Sequence, residues 1–149
     1  MENEHKHRVV AWWSSGQTGL AKSDSAPNAI HFAAPSQFGG LEGRWTPEDL
    51  FISAVASCYT TTFHAVADNS KFDYNDLEVE AEGIVKKTGS GYIFSEIVLR
   101  PSLTIPSEDS RERAVTLLQK ARELCLVSRA LATVLNFETK IRISKQTST

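Results

Sequence analysis

The sequence predicts an α+β fold, an antiparallel sheet built around one long buried central helix, on three observations. Residues 76–87 and 92–104 flank a turn rich in glycine, and the first of them alternates apolar and charged side chains, as a half-buried strand with one wet face does. Upstream, apolar and small residues recur at three- and four-residue steps, with no Lys, Arg or carboxylate between Asp49 and Asp68, which describes a helix covered on most sides. The elements follow in the order strands, helix, hairpin, second helix, short helix, strand, which suits helices packed on an antiparallel sheet.

Composition bounds the rest. A chain of 149 residues is most simply one domain, 1–149, with loose tails expected at 1–7 and 145–149. Hydrophobic residues make up 41%, charged residues 23%, and the net charge is −2. That is an ordinary globular balance, without the basic, aromatic-interleaved stripe that a nucleic-acid binder needs. The charged start lacks an apolar h-region, and no apolar run reads as a membrane span. No nucleic-acid or membrane partner is expected, and the expected compartment is the cytosol.

Element by element, residues 8–13 (Arg-Val-Val-Ala-Trp-Trp) read as a strand, Gly16 and Gly19 as a turn, and Leu20 to Lys22 and Ile30 to Ala33 as two more short strands. Residues 35–43, with one proline and three glycines, are a loop able to lie over a pocket. Thr46 then suits an N-cap, Pro47 the first helical position, and Asp49 closes a capping box. Leu50, Phe51, Ala54, Val55, Cys58, Thr61, Thr62, Ala65 and Val66 give the helix its apolar stripe, and Asp68-Asn69-Ser70 ends it. In the following strand Leu77, Val79, Ala81 and Val85 face inward and Glu78, Glu80, Glu82 and Lys86 outward. Its partner presents Phe94 and Val98, joined by Ile93, Ile97 and Leu99. Ser107 caps a second helix with Glu108 and Asp109 at its positive end. Ala114, Val115, Leu117, Leu118, Ala121 and Leu124 form its stripe. Residues 125–127 break the chain, Ser128 caps a brief helix to Leu135, and Phe137, Thr139, Ile141 and Ile143 point inward from a last strand.

The chemistry-bearing residues are the two cysteines, Cys58 and Cys125. Cytosolic thiols stay reduced, so a permanent staple is not expected. Metal ligation is not expected either, because neither cysteine has a second Cys or His two to five residues away. His5 and His7 form an H-x-H pair, but in a polar tail. Each cysteine alone is ordinarily a small buried filler. Three features point instead to a cysteine-based redox site: a second thiol, the small neighbours Ala54, Ala56 and Ser57, and the acid–base pair Glu48 and Arg44 at the start of the helix. A peroxide-reducing thiol must be a thiolate, needs a cation to hold it, and needs a second thiol to collapse its sulfenic acid. Ten residues of helix rise about 15 Å, so Glu48 reaches a thiol only across a dimer interface or through a bend. His64 points away from Cys58 along the helix and reads as a core or interface histidine. Trp12 and Trp13 read as packing, and Trp45 as packing or the wall of an apolar pocket.

The run from Trp45 to Cys58, with Pro47-Glu48-Asp49-Leu50 and small residues before the cysteine, together with Cys125-Leu126-Val127-Ser128, resembles the two cysteine motifs of the OsmC/Ohr family (osmotically inducible and organic-hydroperoxide-resistance proteins). The likeness spans about residues 8–144. It implies an intertwined homodimer with sites at the interface, no metal and no cofactor, acting as a thiol peroxidase on organic hydroperoxides. Cys58 would be the attacking cysteine, Cys125 the resolving one, and Glu48 the residue that orients an activating arginine. A dithiol of the lipoyl type would recycle the disulfide. The family draws its arginine from positions that here hold Leu20 or Phe38. Arg44 is expected to substitute, with Lys22 the second candidate, since lysine lacks the bidentate fork. The alternatives on the same scaffold are an apolar-ligand-binding or redox-sensing stress protein, and a thiol–disulfide oxidoreductase lacking the usual Cys-x-x-Cys.

Overall fold

The computed structural model describes residues 4–145. The expected tails at 1–7 and 145–149 therefore lie partly outside the described residues; residues 4–8 carry no regular secondary structure. The chain divides into two compact units, one ending at Phe51 and the other beginning at Ile52.

The first unit is a three-stranded antiparallel meander of β1 (Val9–Ser15), β2 (Thr18–Ser23) and β3 (Ile30–Ala33). Gly16 sits in the β1–β2 turn with φ +54°, a conformation glycine adopts without strain. Gly19 is not a turn residue as the sequence suggests. It lies within β2, and the Phe32 ring of β3 occupies the space a Cβ would need. A single 3-10 turn (Ser36–Phe38) interrupts the loop that follows, and Trp45 is bridged to Phe32 of β3.

Helix α1 (Pro47–Asn69) starts where the capping motif places it. Asp49 N–H donates to Thr46 Oγ1 and Thr46 N–H donates to Asp49 Oδ2, both at 3.0 Å. Two donors that the first turn would otherwise leave unpaired are thus satisfied reciprocally. The helix buries a spine of Val55, Tyr59, Phe63, Val66 and Ala67; each large side chain taken fully out of water contributes about 1.5–3 kcal/mol. It is less enclosed than its lack of charge implies, because Ala54, Ser57, Thr61 and Ala65 are exposed in the single chain. By length and composition alone α1 is also long and apolar enough to cross a membrane, with a mean hydropathy of 1.3, whereas the sequence reading found no apolar run of that length.

In the second unit α1 packs on a four-stranded sheet. Strands β4 (Asp76–Thr88) and β5 (Gly91–Ile105) form a long antiparallel hairpin. Gly83 lets Ile52 and Phe94 close over the strand, since a Cβ there would meet both side chains within 3 Å. The expected alternation holds from Leu77 to Gly83. A bulge between Ile84 and Val85 then shifts the register by one residue, so Ile84 turns inward and Val85, expected inside, is exposed. Such a slip exchanges the faces because side chains alternate with period two. On the wet face Arg100 bonds Glu80, Glu82 and Glu138 at 3.2, 2.8 and 2.8 Å. Ile97, Val98 and Leu99 are all buried, whereas Ile93 is exposed.

The C-terminal third differs most from expectation. A 3-10 turn (Glu108–Ser110) precedes α2 (Arg111–Leu124), so Ser107 caps the turn by position, without a side-chain bond. Ala114, Leu117, Leu118 and Ala121 are buried, but Val115 and Leu124 face solvent. The break is Cys125 alone. Helix α3 (Leu126–Arg129) begins directly after it, placing Ser128 inside the helix rather than at its cap. The single last strand is two short ones, β6 (Val134–Phe137) and β7 (Lys140–Ile143), and both run parallel to β5. The sheet is therefore mixed, not purely antiparallel. The α2–α3 segment crosses over between β5 and β6, which is the connection parallel neighbours require.

The reciprocal Thr46–Asp49 bonds predict that Thr46→Ala destabilises the protein by about 1 kcal/mol in urea unfolding, while Thr46→Ser retains most of the stability.

Candidate active site at the α1 and α2–α3 junction

Cys58 lies on α1 beside the buried Tyr59, and Cys125 at the break between α2 and α3. The buried Tyr59 hydroxyl donates to the Leu118 carbonyl of α2 at 3.0 Å, which fixes α1 against the middle of that helix. This register carries Cys58 to the start of α3. The Val127 N–H points at Cys58 Sγ across 3.5 Å, and Thr62 Oγ1 lies 3.9 Å from the same sulfur. Amides in the first turn of a helix have no carbonyl partner within it, so Val127 can serve the sulfur without breaking another bond.

Both thiols are free; Cys58 is half-buried and Cys125 fully buried. Burial pushes the Cys58 thiol up, but the Val127 amide, the Cys125 side chain, Thr62 and the Leu126 amide together outweigh it, and its pKa falls below the ordinary value. Burial pushes Cys125 up. Ser128 opposes this through its side chain and backbone, the adjacent Cys58 adds to it, and the net direction is upward. Ser128 Oγ is itself buried without a hydrogen bond of ordinary geometry. Its dipole acts on Cys125 from close by. The same surroundings raise the Tyr59 phenol, through burial first and Cys125 second, against Arg122. Arg122 is stacked over the Phe137 ring at 4.4 Å. The result is an asymmetric pair: a reachable thiol that ionises early beside an enclosed one that holds its proton.

Glu48 and Arg44 belong to the first unit. Arg44 is exposed and flanks a shallow groove with Ile30, His31 and Trp45. Among the described residues no ion pair joins Arg44 to Glu48, and Glu48 Oε2 is buried without a hydrogen-bond partner. Lys22 is an exposed residue of β2. His64, expected in a core or interface, is exposed in the single chain, its Nδ1 2.6 Å from the Tyr74 hydroxyl. Among the described residues no cluster of three or more His, Cys, Asp or Glu side chains is placed to hold a metal. Sequence reasoning missed the Val127 amide, which has no sequence signal. It counted Thr62 only as part of an apolar stripe, although its spacing of four from Cys58 places it one turn along the same face.

The profile of the family described as OsmC-like protein matches residues 40–140. The chain belongs to the OsmC-like family. The uncharacterized protein YmaD of Bacillus subtilis is 28% identical over 131 residues, covering 86% of this chain and 87% of YmaD. An organic hydroperoxide resistance protein-like relative from Mycoplasma genitalium is 29% identical, covering 84% and 86%. Among solved structures, the OsmC-like protein VCA0330 from Vibrio cholerae superposes with a TM-score of 0.80 at 19% identity, over 91% of this chain and 99% of that one. The likeness to VCA0330 shows that this chain has an OsmC-like fold.

The opposite displacements of the two thiols predict their order of reaction. Alkylation followed on the separate cysteine peptides is expected to modify Cys58 first at neutral pH, with an apparent pKa below the ordinary thiol value. Cys125 should react only at more alkaline pH or after unfolding; simultaneous modification of both at neutral pH contradicts the assignment.

Proposed function

We propose that this OsmC-like protein is a thiol-dependent peroxidase that reduces organic hydroperoxides. The observation that carries the reading is the Cys58 sulfur, half-buried yet reachable, with the Val127 amide at 3.5 Å and the raised-pKa Cys125 thiol beside it. The Cys58 thiolate attacks the terminal oxygen of ROOH, the O–O bond breaks, and RO⁻ takes up a proton and leaves as the alcohol. Cys58 is then a sulfenic acid. Cys125, giving up its proton, attacks the Cys58 sulfur, and hydroxide leaves as water with the formation of a disulfide. A small dithiol returns both thiols by exchange; a lipoyl group is the expected type. Burial protects Cys125 until it is needed, and its high pKa keeps it from competing for peroxide.

Glu48 and Arg44 enter this reading through a homodimer. Glu48 Oε2 is buried without a partner among the described residues, and ten positions of α1, a rise of about 15 Å, separate it from Cys58 on its own helix. Glu48 and Arg44 of a second copy would bring to Cys58 the cation that its own surroundings lack, Glu48 orienting the guanidinium over the departing alkoxide. The likeness to the organic hydroperoxide resistance protein-like relative of Mycoplasma genitalium supports an organic hydroperoxide as the oxidant.

Stoichiometric cumene hydroperoxide is expected to remove both free thiols of each chain, and a dithiol to restore them. Cys58→Ser should abolish the reaction, whereas Cys125→Ser should allow one turnover and stop. Unchanged thiols in the wild-type protein would leave a ligand-binding scaffold in place of an enzyme. Light scattering should give twice the chain mass, and Arg44→Ala should lower the rate of peroxide reduction by about 10-fold or more, as expected for lost stabilisation of developing charge. A fully active monomer contradicts the shared site.

A further inference from the structure

Three consecutive threonines follow Tyr59 on α1, and their hydroxyls are used differently. Thr60 Oγ1 donates to the Ala56 carbonyl at 2.8 Å and Thr61 Oγ1 to the Cys58 carbonyl at 3.1 Å. Both are the back-bonds to the preceding turn that helical threonine ordinarily makes. Thr62 stands four residues after Cys58, yet its hydrogen bond among the described residues is directed to the Cys58 sulfur, at 3.9 Å, rather than to the helix backbone. A β-branched side chain in a helix has few rotamers, so a threonine that gives up the usual carbonyl for a sulfur fixes a hydroxyl at that point.

We infer that Thr62 is a positioning residue whose hydroxyl, together with the Val127 N–H from the start of α3, holds the Cys58 thiolate in place. This deepens the thiol-peroxidase reading and rests on it. The hydroxyl suits both states of the sulfur. It can accept from the neutral thiol S–H, and it must donate to the thiolate, which is acceptor-only. The groups that face the sulfur are Thr62 from α1 and the Leu126 and Val127 amides and Cys125 thiol from the α2–α3 junction. Among the described residues no cationic or carboxylate side chain contributes there. The anion is therefore held within one chain by neutral dipoles, Thr62 being the side chain among them that is neither backbone nor a reacting thiol. That role also bears on the missing arginine: a guanidinium brought by a second copy would act on the peroxide and the departing oxygen, with ionisation of the thiol already secured locally.

The test is alkylation of Cys58 by iodoacetamide, quantified on its own peptide, from well below to well above the thiol pKa, in wild type, Thr62→Val and Thr62→Ser. Thr62→Val is expected to raise the apparent pKa of Cys58 by about half a unit to one unit, slowing alkylation about 3- to 10-fold on the acid side and leaving the alkaline plateau unchanged. Thr62→Ser, which keeps the hydroxyl, should restore the wild-type profile to within about 2-fold. A wild-type profile in Thr62→Val overturns the inference. So does an equal slowing of both variants across the whole range, plateau included, because that is the signature of altered packing. If Thr62→Val does not fold by circular dichroism, Thr62→Ala takes its place in the same comparison. The readout needs no peroxide. A shifted profile in a protein whose thiols ignore cumene hydroperoxide would uphold Thr62 and defeat the peroxidase; an unshifted profile in an active peroxidase would do the reverse.

Discussion

The register of α1 against the middle of α2 is the constraint on which the site depends. Val55, Tyr59 and Phe63 lie one turn apart and are fully buried, so α1 cannot rotate without withdrawing large side chains from the core. The Tyr59–Leu118 hydrogen bond sets its position along the axis as well. A buried phenol without that carbonyl would be left unpaired, at about 1–3 kcal/mol, so the bond specifies position strongly. Cys58, adjacent to Tyr59 in the chain, is placed by a lock it does not itself form. Its sulfur arrives at the start of α3 because Tyr59 is where it is.

The α2–α3 break complements that lock. Cys125 ends one helix and precedes the next, with extended backbone between them (φ −62°, ψ 112°). Its N–H still closes α2 on the Ala121 carbonyl, and its own carbonyl accepts from Arg129 N–H. The amides of Leu126 and Val127, on the next turn, are the ones left over. One break thus supplies a buried second thiol and two amides directed at the Cys58 sulfur at the same point. Desolvation acts on both sulfurs, but only Cys58 has enough dipoles aimed at it to overcome burial. The opposite displacements of the two thiols therefore follow from which sulfur stands outside the break and which within it.

What the sequence displays and what it hides follow from the range of the forces involved. The start of α1 is legible because a capping box is a local exchange of two hydrogen bonds within four residues. The faces of β4 are legible up to Gly83 because alternation is local too. Val85 is not, since a bulge answers to the partner strand and leaves no mark in composition. The parallel course of β6 and β7 is hidden for the same reason: each is four residues long, and direction is decided by the crossover. At the site, the two cysteines announce themselves by type and by family motif, while their surroundings do not. A backbone amide has no letter of its own, and Thr62 reads as stripe filler until its hydroxyl is seen beside a sulfur.

The lack of charge along α1 remains to be explained in one chain. A surface helix whose outer side meets only water gains from charged residues there, yet Ala54, Ser57, Thr61 and Ala65 are small or uncharged and exposed. The first unit has the same character by itself. Its meander buries little besides Gly19 and Ala33, and it exposes Val9, Trp12, Trp13 and Ile30. Three strands without a covering layer are marginal in water, and large exposed apolar surface marks a partner. In the proposed homodimer a second copy would answer the uncharged helix face and the unpaired Glu48 carboxylate oxygen together. The proposed dimer is thus the economical reading of the physics, and it would supply the positive charge that no side chain brings to Cys58 among the described residues.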